Sequence, residues 1–145
     1  MKATAQFLLS GLLALGLMAG PAEAGKRDAE DCLRTRVWDG YGDGWGIRTM
    51  TSTELAAGKT RNYLVTLYKG NEYRIEACGD SAVQNVDVLL YDTNGNVIKR
   101  DETEDKTPRF EFTPEETGSY YVVVYMRGLE EGKENGGVAM AVVYR

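Results

Sequence analysis

From residue 47 onward, apolar and polar side chains alternate with a period of two, interrupted at short intervals by Gly, Asn and Asp. Such alternation puts one face of a strand on a core and the other in water. Ile47 to Leu55 alternates weakly, and Ala57-Gly58-Lys59 reads as a turn. Thr60 to Leu67 is rich in β-formers, with Tyr63, Val65 and Leu67 on one face, and Lys69-Gly70-Asn71 turns the chain again. Glu72 to Cys78 sets Tyr73, Ile75 and Ala77 against Glu72, Arg74 and Glu76, and Gly79 to Asn85 reads as a polar loop. Val86 to Tyr91 runs into Asp92-Thr93-Asn94-Gly95-Asn96. Asn-Gly between apolar stretches predicts a hairpin, because the turn needs positive φ. Val97 and Ile98 begin its return strand, and Phe110 and Phe112 share one face of a short strand. Ser119 to Met126 is the most hydrophobic strand and is expected to be central. Arg127 to Gly137 reads as a long Gly/Glu-rich loop, and Val138 to Tyr144 as the closing strand. About eight short strands with turns roughly every ten residues predict a mainly β chain folded as an antiparallel sandwich.

One helix is expected, over Asp28 to Asp39, where Ala29, Cys32, Leu33, Arg36 and Val37 recur at helical spacing. Asp28, Glu30 and Asp31 crowd its first turn, where the helix dipole favours negative charge. The glycines between Asp39 and Gly46 end it. Ahead of it, residues 1–24 read as a secretory signal. Lys2 supplies the positive start, Phe7 to Ala19 the apolar stretch, and Ala22-Glu23-Ala24 the cleavage pattern before Gly25. The alternative is an uncleaved anchor, but the apolar run is shorter than the ~20 residues a spanning helix needs. The expected organisation is a signal peptide over 1–24, a helix and Gly/Trp-rich loop over 25–46, and a sandwich over 47–145. No membrane span is expected after cleavage, and the location is periplasmic or secreted.

Charge and composition narrow the chemistry. The 145 residues carry a net charge of -5 and no histidine. Without a basic patch, nucleic acid is not an expected partner. Without histidine there is no Ser-His-Asp or Cys-His catalysis and no HExxH zinc site. Export would place Cys32 and Cys78, the two cysteines, in an oxidising compartment where they can pair. The alternative is two buried thiols.

The stretch from Leu55 to Met126 resembles the bacterial pre-peptidase C-terminal (PPC-like) domain family. The matching pieces are Ala57-Gly58-Lys59 before Tyr63-Leu64-Val65-Thr66-Leu67, then Lys69-Gly70-Asn71-Glu72-Tyr73-Arg74-Ile75. Val86-Asp87-Val88-Leu89-Leu90-Tyr91-Asp92 with Asn94-Gly95-Asn96 follows, and then Phe112-Thr113-Pro114 with Thr117-Gly118-Ser119-Tyr120-Tyr121-Val122-Val123-Val124. The resemblance implies a β-sandwich of jelly-roll type that serves exported enzymes as an accessory or binding module. Some related domains bind calcium. This chain carries no protease domain and resembles a free-standing version.

Two groups of residues stand out as candidate sites. Trp38, Tyr41, Asp43 and Trp45 lie in a glycine-rich loop, a composition that suits recognition of protein, peptide or glycan. The bland alternative is that Trp38 and Trp45 plug one end of the sandwich. Asp87, Asp92, Asn94 and Asp101 are candidate calcium ligands, calcium being the only cofactor considered. Their spacing does not fit an EF-hand, and the alternative is a hairpin whose Asp and Asn bond their own backbone. Asp87 is expected to face solvent or satisfy a loop. The acidic run Asp101, Glu102, Glu104 and Asp105 is the place for a carboxylate-dependent hydrolase, against the simpler reading of a solvated surface. The tyrosines at 63, 73, 91, 120, 125 and 144 are expected to be cross-strand packing residues. The chain therefore reads as a non-catalytic binding or accessory module. A self-associating envelope protein is the alternative, and a hydrolase the weaker one.

Overall fold

The computed structural model describes residues 21–145, so most of the expected signal segment lies outside the described residues. A helix, α1 (Pro21–Asp39), and a 3-10 turn (Tyr41–Asp43) precede eight strands. These are β1 (Gly46–Ala56), β2 (Thr60–Leu67), β3 (Tyr73–Gly79), β4 (Val83–Asp92), β5 (Val97–Asp101), β6 (Arg109–Phe112), β7 (Gly118–Leu129) and β8 (Asn135–Tyr144). They form two antiparallel four-stranded sheets, ordered β1-β8-β3-β6 and β2-β7-β4-β5. First pairs with eighth, second with seventh, third with sixth and fourth with fifth, as if one long hairpin had been rolled up. This is the jelly-roll arrangement. The strand expected to be central, now β7, lies inside its sheet.

The main core fills the space between the sheets. Tyr73, Ile75 and Ala77 of β3 and Val138, Met140 and Val142 of β8 face Val86, Val88 and Leu90 of β4 and Val122, Val124 and Met126 of β7. A second buried cluster lies on the opposite face of the first sheet. There Ala29, Leu33 and Val37 of α1 pack on Cys78, Ala139, Ala141 and Val143. Burying Leu33 and Val37 contributes about 1.5–3 kcal/mol each. The Cys32–Cys78 disulfide staples the helix to β3.

This second layer corrects the reading of β3. Of the face expected in water, Glu72 is exposed and Arg74 half-buried, but Glu76 is fully buried because α1 covers that end of the strand. Glu76 is accommodated by ion pairs to Arg109 at 2.9 Å and Arg36 at 3.6 Å. The helix also extends back beyond Asp28, covering Pro21–Asp39 among the described residues, so Asp28, Glu30 and Asp31 are not in its first turn.

The loop expected over Arg127 to Gly137 shrinks to a short turn, because β7 runs on to Leu129 and β8 starts at Asn135. The glycines responsible for the loop reading do a packing job instead. A Cβ on Gly136 would lie 2.6 Å from a Val83 methyl, and one on Gly137 would strike the backbone of Gly25 in α1. Val83 to Asn85, expected in a loop, opens β4 and pairs with β7 around register shifts.

Candidate functional site

At the C-terminal end of α1 the chain reverses over Gly40, whose N–H donates to Val37 O and whose carbonyl accepts from Asp43 and Trp45. Gly44 closes the turn at φ 85, a conformation that glycine adopts without strain. This short 3-10 turn brings Tyr41 over Trp38 on the last turn of the helix. Their rings stack with centroids 5.4 Å apart and planes 24° from parallel. Both are on the surface, Trp38 at 73% exposure and Tyr41 at 57%. Beside Trp38 lies a shallow depression formed with Arg34, Thr35 and Asp39.

Trp45, grouped with Trp38 by sequence, is separated from it in space. It is 2% exposed and packs in the cluster beneath the helix. The guanidinium groups of Arg74 and Arg145 lie over its ring, at 4.2 and 4.6 Å from the centroid. Arg74 is bound in turn to Glu111, and Arg145 to Glu72. The bond to Glu72 is the main cause that raises the Arg145 pKa above its ordinary value. Arg145 also donates to the Asp43 carbonyl at 3.4 Å, which ties the last residue of the chain to the 3-10 turn. The Asp43 side chain itself points into solvent. The arrangement is thus an exposed aromatic pair standing on a braced base. One flank is helix, and the other is a turn held from below by Trp45 and two arginines.

The candidate calcium residues are not gathered. Asp92 spends both carboxylate oxygens on its own hairpin, accepting from Asn94 N, Asn96 N and Asn96 Nδ2 at 2.9–3.0 Å. The bond from the Asn96 side chain, followed by those from the backbone, holds its pKa below the ordinary carboxylate value. Asn94 is exposed on the same turn. Burial opposes ionisation of Asp101, but backbone N–H groups of Arg109 and Thr103 outweigh it and lower its pKa. Asp87 neither faces solvent nor serves a loop. It is 1% exposed and ion-paired to Arg127, which also covers the Tyr125 ring. Among the described residues, no three acidic or thiol side chains converge on a point that would hold a metal ion.

The other acidic candidates are similarly engaged. Asp105 accepts from Thr107 N, and Glu102 lies within ion-pair distance of Arg100 and Arg127. Glu104 borders a cleft with Arg127, Gln84 and Asn85.

A second surface feature was not legible as a site. On the outer face of the second sheet, Leu64, Tyr121, Tyr91 and Val97 stand in register across β2, β7, β4 and β5. Leu64 is 63% exposed, Val97 44% and Tyr121 39%. Tyr91 and Tyr121, with Asn62 and Val123, line a cleft of about 320 Å³. The signal that was available is that β7 is apolar at successive positions, not only at alternate ones.

No family model and no curated protein sequence matches the chain. Its fold is similar to that of solved structures. The crystal structure of Aeromonas hydrophila PliG, a periplasmic lysozyme inhibitor of g-type lysozyme, is 14% identical with a TM-score of 0.52, over 67% of this chain and 85% of that one. The pre-peptidase C-terminal domain of a collagenase from Bacillus anthracis is 17% identical with a TM-score of 0.53, over 67% of this chain and 90% of that one. Among the described residues, no helix is long and apolar enough to cross a membrane.

Proposed function

We propose that this chain is an exported, non-catalytic module that binds a protein partner through the Trp38–Tyr41 stack. The reading includes membership of the PPC-like group, cleavage after Ala24, and residence in the periplasm or outside the cell. The observation that carries it is the exposed aromatic pair on its braced turn. Trp and Tyr are the side chains that most often anchor protein interfaces, and rigidity beforehand lowers the ordering cost of binding. Two solvent-facing rings held in one orientation have no folding advantage comparable to burial, so their placement fits recognition. A net charge of -5 favours a basic partner through electrostatic steering. The similarity in fold to a periplasmic inhibitor makes a lysozyme the first partner to try.

The test immobilises oxidised protein spanning 25–145 and passes over it purified g-type lysozyme and, separately, soluble peptidoglycan fragments. Expected is saturable lysozyme binding that weakens at least about tenfold in the Trp38→Ala/Tyr41→Ala variant, because interface anchors of this kind carry about 2 kcal/mol or more. Unchanged affinity in that variant removes the site. Retention of glycan and not of lysozyme replaces the protein reading by a carbohydrate one.

A second reading rests on the row Leu64–Tyr121–Tyr91–Val97, which offers a second copy of the chain an apolar sheet face. Light scattering tests it: a concentration-dependent dimer that Leu64→Glu abolishes supports self-association, and a monomer throughout removes it.

A further inference from the structure

We infer that the cleft beside the start of α1 is a receptor for the chain's own new N-terminus, and that the α-ammonium of Gly25 seats against the buried carboxylate of Asp80 once residues 1–24 are removed. This rests on the export reading above. The cleft, about 390 Å³, is lined by Ala24, Gly25, Asp28, Glu54, Asp80 and Lys133 among others. Asp80 is 7% exposed. Among the described residues, its two carboxylate oxygens accept only neutral backbone donors, from Ala82 N at 2.9 Å and Gly137 N at 3.0 Å. The nearby ammonium of Lys106 bonds the Asp80 carbonyl, not its carboxylate. Glu54, a half-buried residue of β1, also lines the cleft, and its Oε2 is shielded from solvent with no hydrogen-bond partner among the described residues. Buried carboxylates are stabilised further by a nearby cation, and no described ion pair supplies one to Asp80 or Glu54.

The position of Gly25 supplies one. A Cβ on Gly25 would lie 2.5 Å from Asp80 Oδ2, so that oxygen occupies the space a side chain at Gly25 would take, and the Gly25 nitrogen is one bond from the Cα that faces it. In the uncleaved chain this nitrogen is an amide inside α1. Hydrolysis of the Ala24–Gly25 bond by signal peptidase adds one water, leaving a carboxylate on Ala24 and an ammonium on Gly25. The absence of side chains at both Gly25 and Gly137 lets helix and strand approach this closely, because a Cβ on Gly137 would meet the Gly25 carbonyl. The groups facing the new ammonium are Asp28 from α1, Glu54 from β1, Asp80 after β3, and Lys133 from the turn between β7 and β8. Three are acids and one is a base, so the balance favours a cation. The acids do not converge tightly enough to chelate a metal.

The experiment compares oxidised 25–145, the same protein acetylated at its α-amine, and 24–145, by urea unfolding at pH 6 and pH 10. An amine that gains carboxylate partners on folding has a raised folded pKa. Its contribution is complete below the unfolded value of about 7.7–8.0 and is lost as pH rises through the folded value. At pH 6 the free-amine protein beginning at Gly25 is expected to show a folding constant about fivefold or more above both other forms. The gap closes at pH 10, and it shrinks in Glu54→Gln and in Asp80→Asn backgrounds. The helix dipole alone predicts the reverse sign, since acetylation removes a positive charge from the positive end of a helix. Equal midpoints at pH 6, or a gap that persists at pH 10, overturn the inference. Glu54→Gln keeps the test open if Asp80→Asn does not fold. The mass of the exported protein tests the cleavage separately: a first residue other than Gly25 overturns the maturation step, while the urea data on 25–145 still decide the niche.

Discussion

Replacing Trp45 tests whether the aromatic stack truly stands on a braced base. The ring is 2% exposed and lies between the helix cluster and two guanidiniums. Removing a buried Trp to Ala costs about 3–5 kcal/mol in transfer and cavity terms. Each cation–π contact adds about 0.5–1 kcal/mol where the cation is exposed and more where it is not. The Arg74 side chain is 14% exposed and that of Arg145 is 41%, so the larger share belongs to Arg74. Trp45→Ala is therefore expected to lose about 4–6 kcal/mol, a large part of the roughly 5–15 kcal/mol that a domain holds. At about 4 °C per kcal/mol for this size, its melting point falls by about 16–24 °C. Urea unfolding of the oxidised protein gives the free energy. Fluorescence in a Trp38→Phe background isolates Trp45, which should emit as a buried indole. A loss below about 1.5 kcal/mol, or the emission of a solvated indole, would refute the brace. The same protein with Trp38→Ala and Tyr41→Ala should unfold within about 0.5 kcal/mol of the parent, as surface substitutions do.

Further outcomes follow from other contacts. Converting Cys32 and Cys78 to Ala should cost about 4 kcal/mol on the chain-entropy account, given the 46-residue separation, and a reductant should lower the urea midpoint of the parent but not of the variant. Glu76→Ala leaves Arg36 and Arg109 without their shared carboxylate and should cost about 3–5 kcal/mol by thermal unfolding. In a carboxyl-carbon NMR titration, Asp92 and Asp101 should protonate below the usual 3.8. Since their folded pKa values are lowered, the stability they confer is present above that value and disappears as pH falls through the lowered ones. Calcium and EDTA should leave the melting point unmoved, because Asp87, Asp92 and Asp101 are each already committed to separate partners; a rise with calcium would show that these bonds yield to the ion.

Strand positions were readable wherever one face met the core and the other met water, as in β2, and wherever a turn required positive φ, as at Gly95 between β4 and β5. They were misread wherever a third layer intervened. Glu76 looked like a solvent residue because alternation reports polarity, and no local pattern tells that α1 will cover β3. Gly136 and Gly137 looked like a loop because glycine marks both turns and close approaches, and only the partners Val83 and Gly25 distinguish the two. The aromatic loop was recognisable by composition, but the division of labour between Trp38 and Trp45 was not. It depends on Arg74 and on Arg145, distant in sequence from the loop. The apolar row on the second sheet escaped notice because tyrosine serves packing and recognition equally well.

The position of β8 has a kinetic consequence. It is the last of the described strands, yet it sits inside its sheet, between β1 and β3, with its eight inner residues buried. Neither the first sheet nor the seat of α1 can form until residue 144 has arrived. Closure of the long loop from Ala56 to Asn135 must precede the contacts that reward it, which places such a fold in the slow range of about milliseconds to seconds. A chain emerging N-terminus first from a ribosome or a pore would therefore keep this sheet open until β8 had emerged. If the chain is exported as proposed, late closure of this kind would keep it threadable until β8 arrives.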